Sequence, residues 1–204
     1  KWFPYNKGGL YRKWYGNLEF VVDWYKDGKN IKEYKLEQRK KNPKYNTAIA
    51  ALDSMFKIQY SWSLLSGCNL SVRYYPIGCL FDVSGSSVVV NEKNNYLLGL
   101  LNSCIVNRQL NFLNPTLNTQ PGNIKSLIYK DNKDYEEIIN NLVEENINIA
   151  KNDWNSYETS WDYQGNPLII NRDNDKKIVD ICIRYEKKIP IIKFEGFISK
   201  IKEE

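Results

Sequence analysis

Between residues 58 and 90 the chain breaks into four short runs of β-branched and aromatic residues, Ile58–Trp62, Ser71–Tyr75, Leu80–Val83 and Ser87–Val90, with Gly67, Pro76-Ile-Gly78 and Gly85 between them. Runs of this length separated by turn formers pair as strands of an antiparallel or mixed sheet. Immediately afterwards the periodicity changes. Across Tyr96–Phe112, the residues Leu97, Leu98, Leu101, Ile105 and Leu110 recur at helical spacing up to Asn114-Pro115. A second helical stretch, from Asp134 to about Lys151, carries Tyr135, Ile138, Leu142, Val143, Ile147 and Ala150 on one face. This switch from strand-like to helix-like patterning constrains the chain to a mixed α/β (α+β) fold, a short-stranded sheet with two main helices.

The flanks are less regular. Asp27-Gly28 marks a turn, and the polar run Lys29 to Asn42 predicts an exposed excursion or a surface helix. Pro43 can open a helix through Thr47–Leu52 to Phe56, with Ala48, Leu52, Met55 and Phe56 on its inner face. Asp153 can cap one further short helix carrying Trp154, Tyr157 and Trp161, and Ile178–Tyr185 alternates like a strand. Trp24, Leu98, Leu101, Ile105, Leu142 and Trp161 are assigned to the core.

The sequence contains no histidine, which excludes Ser-His-Asp and Cys-His catalysis and any His-ligated metal within it. Cys68, Cys79, Cys104 and Cys182 lack a CxxC spacing and are expected as buried free thiols in a reducing cytoplasm. No signal segment and no window of ~20 apolar residues is visible, so a soluble, cytoplasmic protein without a membrane partner is expected. The first residue is not methionine, which predicts an excised piece of a longer polypeptide. There is no Walker lysine loop, no GxGxxG and no aromatic-flanked Pro-Pro motif, so no catalytic, cofactor or metal residue is assigned. Asp23 or Asp27 upstream of Glu33-Tyr-Lys35 superficially matches the acid and acid-x-Lys arrangement of magnesium-dependent nucleases. In a chain this rich in Lys and Glu, the same spacing is expected of solvated surface charge.

Charge is segregated. Residues 1 to 44 hold twelve Lys and Arg against five acids, a balance of +7, whereas the whole chain carries +5, leaving −2 on the other 160 residues. A basic lobe on a near-neutral body is the electrostatic footprint of a polyanion partner. Within that lobe, Lys7-Gly-Gly-Leu-Tyr-Arg-Lys-Trp-Tyr-Gly-Asn17 fits either a nucleic-acid contact or a surface turn before a strand. In the first case Lys7, Arg12 and Lys13 neutralise phosphates, Trp14 and Tyr15 stack on bases or pack beneath the cations, and the glycines permit close approach. Ser84, Ser86 and Ser87, around Gly85, can offer hydroxyls and N–H groups to phosphate or base edges, or simply form a turn between strands. Arg73 poses the same choice between a guanidinium aimed at guanine and a strand residue paired with an acid.

Several motifs then occur in one order: Trp2–Gly9 with Arg12–Gly16, Ser61-Trp-Ser63, Arg73–Pro76, Phe81–Ser87, Tyr96–Ser103, Leu113–Asn118 with Gly122-Asn-Ile-Lys125, and Asp153–Asp162. Together they resemble the C-terminal part of the BREX-system adenine-specific DNA methyltransferases, the PglX family, over about residues 2 to 167. The Leu-Asn-Ser, Thr-Leu-Asn and Gly-Asn-Ile-Lys succession is also similar to target-recognition domains of related restriction-modification enzymes. The resemblance implies a parent enzyme that methylates adenine N6 with S-adenosylmethionine, its catalytic domain lying N-terminal to Lys1. It implies a DNA target-recognition domain over 1–167, with no cofactor of its own, and adds Asn118 and Lys125 to the DNA contacts. The implied partners are double-stranded DNA, the methyltransferase domain and other defence-system subunits; a docking module for those proteins is the competing expectation. Gln120-Pro121 departs from the pattern by removing a backbone donor, and residues 168–204 form a divergent tail of open function.

Overall fold

A computed structural model describes residues 1–49, 51–65, 69–114, 116–130 and 132–170. The fold is mixed α/β, with two three-stranded sheets. The chain divides into two compact units, Lys1–Val143 and Glu144–Glu204. The strand expected at Ile178–Tyr185 and the rest of the tail beyond Ile170 lie outside the described residues.

In the first unit, β1 (Trp2–Asn6) is central, antiparallel to β2 (Phe20–Asp23) and briefly parallel to β5 (Leu80–Phe81), in the order β2-β1-β5. Pro4 is tolerated because β5 joins only at Tyr5 and Asn6, so the missing N–H falls where the strand has a single neighbour. The second sheet has the order β4-β3-β6, with β3 (Ile58–Ser61) antiparallel to both β4 (Arg73–Tyr75) and β6 (Ser87–Val90). Every residue of β3 is buried, as its central place requires. Trp24, Met55 and Leu80 form a core cluster, with Phe3, Tyr5, Val22, Ile31, Ile49, Phe56 and Phe81 packed around it.

The polar run after β2 is helix α1 (Tyr25–Lys41), but Lys26, Asp27 and Gly28 at its start have left-handed backbone, and Gly28 lies against the Trp24 ring. The helix expected after Pro43 does not form. The Asn42 and Asn46 carboxamides accept the N–H groups of Lys44 and Ala48, a local alternative to helical bonding. Ala51 and Phe56 adopt positive φ, and only a 3₁₀ turn at Leu52–Ser54 remains. Met55 is buried as expected, while Ala48 and Leu52 are exposed.

The single helix expected over Tyr96–Phe112 is two, α2 (Asn95–Leu101) and α3 (Cys104–Leu113). The break has a cause: the Asn102 carboxamide bonds both the N–H and C=O of Val72, and Ser103 caps α3 through the Val106 N–H. The new phase buries Val106 and leaves Ile105 58% exposed, correcting its core assignment. Pro121 opens the short helix α4 (Pro121–Lys125), where its missing donor would have no intrahelical partner anyway.

Helix α5 (Lys133–Trp154) crosses the boundary between the units. Of its expected inner face, Val143 and Ile147 are buried, whereas Tyr135, Ile138 and Leu142 are exposed, Leu142 at 53%, which corrects its core assignment. The phase is set at Gly99 of α2, where an added Cβ would stand 2.8 Å from Val143 Cγ2 and 3.3 Å from Ile139 Cγ2. In the second unit Trp154 is buried, but α5 ends there in a hydrogen-bonded turn rather than a further helix. Ser160 is its buried anchor, donating to Asn155 Oδ1 at 2.8 Å, and Trp161 is 53% exposed rather than core. The last described element is α6 (Pro167–Ile170). Among the described residues, no helix is long and apolar enough to cross a membrane. Cys79 is buried as expected, whereas Cys104 is an exposed free thiol; Cys68 and Cys182 lie outside the described residues.

Candidate nucleic-acid interface

The site is built around a buried asparagine. Asn6, at the end of β1, donates from Nδ2 to Ser61 Oγ at 2.6 Å and to the Gly85 carbonyl at 3.3 Å, while its Oδ1 accepts the Gly8 N–H at 3.0 Å. One side chain thereby ties the glycine loop, β3 and the serine turn together. Ser63 continues the seam by donating to the Gly9 carbonyl at 2.7 Å, and Asn17 Nδ2 donates to the Leu10 carbonyl at 2.9 Å. The glycines are required here: with φ of +77°, Gly8 comes so close to the Ser84 carbonyl that an added Cβ would stand 2.7 Å away.

The serine turn is held in the same way. Asp82 accepts the Ser84 and Gly85 N–H groups at 2.8 and 3.2 Å, capping the 3₁₀ turn Val83–Gly85. The Leu64 N–H donates to the Ser84 carbonyl, the Thr119 N–H donates to the Leu64 carbonyl, and Leu65 bridges Asn118. The Trp62 indole N–H donates to the Thr119 carbonyl at 2.7 Å. Three distant segments, Lys7–Arg12, Val83–Ser87 and Asn118–Thr119, are thus laced together through Ser61–Leu65. Tyr5 lies behind the turn with its hydroxyl pKa pushed up to about 12, chiefly by burial and then by the Asp82 carboxylate.

The expected contact residues divide on this framework. Lys7, Ser84, Asn118 and Lys125 are exposed, and Arg12 is half-buried. The Lys7 ammonium lies 5.4 Å from the Phe20 ring centroid, the Asn118 carbonyl accepts from Asn114 Nδ2 at 2.7 Å, and Lys125 ends α4. Arg73, by contrast, is 0% exposed. Its guanidinium donates to the Arg12 carbonyl and Ser63 Oγ, each at 3.2 Å, and to the Tyr75 hydroxyl at 3.4 Å. Arg73 therefore braces the loop from beneath, which corrects both its expected approach to the groove and its expected acidic partner.

Lys13 is half-buried and donates to the Asn102 carbonyl at 2.9 Å, a favourable place for a cation at the end of α2. Trp14 runs beside β4, its N–H donating to Val72 and its carbonyl accepting from Tyr74. Its φ of +71° and the Tyr15 N–H donating to the Lys13 carbonyl make a strained γ-turn. Tyr15 is buried and cannot stack on a base as the chain stands; Ser86 is buried too, its hydroxyl donating to the Val83 carbonyl. Ser87 turns its hydroxyl onto the Gly85 carbonyl.

Asn6, Asn17, Ser61, Ser63 and Asn102 position the surface, and reasoning from the sequence passed over them. Their signal was a polar residue inside or ending an apolar run, as in Trp2–Asn6 and Tyr60–Ser63. The nuclease constellation is not assembled. Asp23 accepts from the N-terminal ammonium, Asn30 and the Tyr25 N–H, Asp27 pairs with Lys32, Glu33 with Lys29, and Lys35 donates to the Ala48 carbonyl. Among the described residues no three His, Cys, Asp or Glu side chains group as a metal site.

The molecule is therefore a mixed α/β module whose most organised surface is a basic glycine loop laced to a serine turn. The chain is homologous to BrxX/PglX adenine-specific methyltransferases. It is 30% identical over 210 residues to the adenine-specific methyltransferase BrxX of Escherichia coli O9:H4 (strain HS), an alignment spanning 100% of this chain and 16% of that protein. It is 36% identical over 174 residues to the adenine-specific methyltransferase PglX of Lacticaseibacillus casei (strain Zhang), spanning 83% of this chain and 14% of that protein. No family model matches. The chain thus corresponds to a minor part of the length of each relative.

Proposed function

We propose that this chain is the DNA site-recognition portion of an adenine-specific methyltransferase of a phage-defence system. The observation that carries it is the lacing of Lys7–Arg12, Val83–Ser87 and Asn118–Thr119 into one surface, in a chain homologous to such methyltransferases. Lys7 and Arg12 hold phosphates, Ser84 and Asn118 approach the groove, and Lys125 adds a cation near the end of α4. Phosphate contacts of this kind position a protein on the duplex, while polar groups at base edges select the sequence. Methyl transfer from S-adenosylmethionine belongs to the rest of the enzyme. At Gly28, in the first turn of α1, an added Cβ would stand 3.1 Å from the Trp24 ring, so the Trp24 side chain fills that space and the position does not form a cradle for such a donor.

The test is fluorescence anisotropy of this chain with a mixed-sequence duplex over a salt series, comparing wild type with Lys7→Ala/Arg12→Ala. The expected result is weaker binding and a log-log salt slope shallower by about 2, one unit for each lost phosphate contact. Affinity that is insensitive to salt, or unchanged in the double variant, sinks the proposal. A protein-docking function has its own support in the exposed Leu65, Val83 and Leu117 on the same laced segments. It predicts that the double variant loses assembly with the methyltransferase domain or another defence-system subunit and leaves DNA affinity untouched.

A further inference from the structure

The tip of the glycine loop presents an apolar side chain from a backbone that is held still. Leu10 is 85% exposed, and Tyr11 beside it is also exposed. An exposed leucine is ordinary in itself. What sets Leu10 apart is that three consecutive residues are pinned by side chains from below: the Gly8 N–H by Asn6, the Gly9 carbonyl by Ser63 and the Leu10 carbonyl by Asn17. Asn6 and Asn17 are themselves buried, so the pins are anchored in the body of the unit. Gly9 is sealed in as well, since at φ +126° an added Cβ would lie 2.9 Å from Asn17 Nδ2. The loop cannot readily fold Leu10 back onto the protein, and cations flank it at Lys7 and Arg12.

We propose that Leu10 is a wedge that inserts between adjacent base pairs when Lys7 and Arg12 hold the duplex backbone on either side. This rests on the DNA-recognition function proposed above and adds a deformation of the duplex to it. Apolar side chains between flanking cations unstack and kink DNA at the step they enter, and a preorganised loop makes the insertion without first losing its own freedom. Leu10 is favoured over Leu65, Val83 and Leu117, exposed on the same surface, because it alone stands between two cations on a loop pinned at three successive residues.

Insertion unwinds the duplex, so the test reads unwinding separately from binding. A closed-circular plasmid is relaxed by a type I topoisomerase with increasing amounts of the chain at ~50 mM salt, where phosphate contacts are strong, then deproteinised and its topoisomers resolved. Wild type is expected to shift the topoisomer distribution. Leu10→Ala still binds DNA with an unchanged salt slope by anisotropy, because Lys7 and Arg12 keep their phosphate contacts, but loses the shift, and Leu10→Phe, which retains an apolar wedge, keeps the shift. Wild type that binds without shifting the topoisomers overturns the wedge while leaving DNA recognition standing, as does Leu10→Ala shifting them as wild type does. Wild type that fails to bind DNA at all removes both proposals together.

Discussion

Asn6 and Arg73 hold up the candidate surface without reaching it. Each is fully buried, and each spends its polar atoms on groups that would otherwise be stranded in the interior. Removing one partner leaves the others desolvated and unpaired, which costs about 1–3 kcal/mol for a neutral group and more for a charged one. Asn6→Ala is expected to lower stability by about 2–3 kcal/mol, and Arg73→Met by about 3 kcal/mol, read as a shift in the urea midpoint. A base-reading arginine would behave in the opposite way, altering sequence preference with little change in that midpoint. The sequence made Arg73 visible as a charged residue in an aromatic strand. It could not show which way the guanidinium turns, because a fully buried guanidinium depends on acceptors at Arg12 and Ser63, 61 and 10 residues away.

At the scale of elements, short polar residues decide where helices stop and which face turns inward. Asn102 replaces the continuing helix with a side-chain bridge to Val72 and offers its own carbonyl to Lys13, coupling the α2–α3 break to β4 and to the basic loop. Asn102→Ala leaves the Val72 N–H unpaired and takes from the Val72 carbonyl one of its two donors, the Trp14 N–H remaining, and a loss of about 1–3 kcal/mol is expected by urea denaturation. The phase of α5 can be tested in the same way. Ile147→Ala is expected to cost about 2–5 kcal/mol, whereas Ile138→Ala and Leu142→Ala, on the exposed side, stay within about 0.5 kcal/mol. Apolar residues at 138, 139, 142 and 143 make the stripe legible as a helix yet too wide to orient. The notch at Gly99 chooses between the two phases, and it belongs to another helix.

For the whole molecule, burial sets the response to alkaline pH. The Cys79 thiol is pushed up from 9.0 to about 12 by burial, and the Tyr5 hydroxyl from 10.0 to about 12 by burial and the Asp82 carboxylate. In both cases the folded chain holds its proton more tightly than the unfolded chain. The corresponding stability is fully present below pH 9 and is lost as pH rises from 9 towards 12. Urea midpoints are expected to fall across that interval, and Tyr5→Phe is expected to make the fall shallower above pH 10. An equal slope in the variant would show that Tyr5 carries none of the effect. At neutral pH the global property is instead the basic lobe of residues 1–44, and under the proposed DNA-recognition function it predicts binding that falls steeply with salt.

The strand runs over 58–90, the long helix near 134–151 and the basic N-terminal lobe are properties of local pattern, so the sequence by itself determined the mixed α/β class and the sign of the surface. The ordered motifs likewise pointed to the methyltransferases to which the chain is homologous. Only the tertiary structure decided that residues 43–56 are not helical, that the 96–112 stretch breaks at Asn102, and that Arg73 and Tyr15 face inward. The physical reason is the same in each case. Hydrogen-bond partners and packing notches come from residues far along the chain, and a buried polar side chain takes its direction from them rather than from its neighbours in sequence.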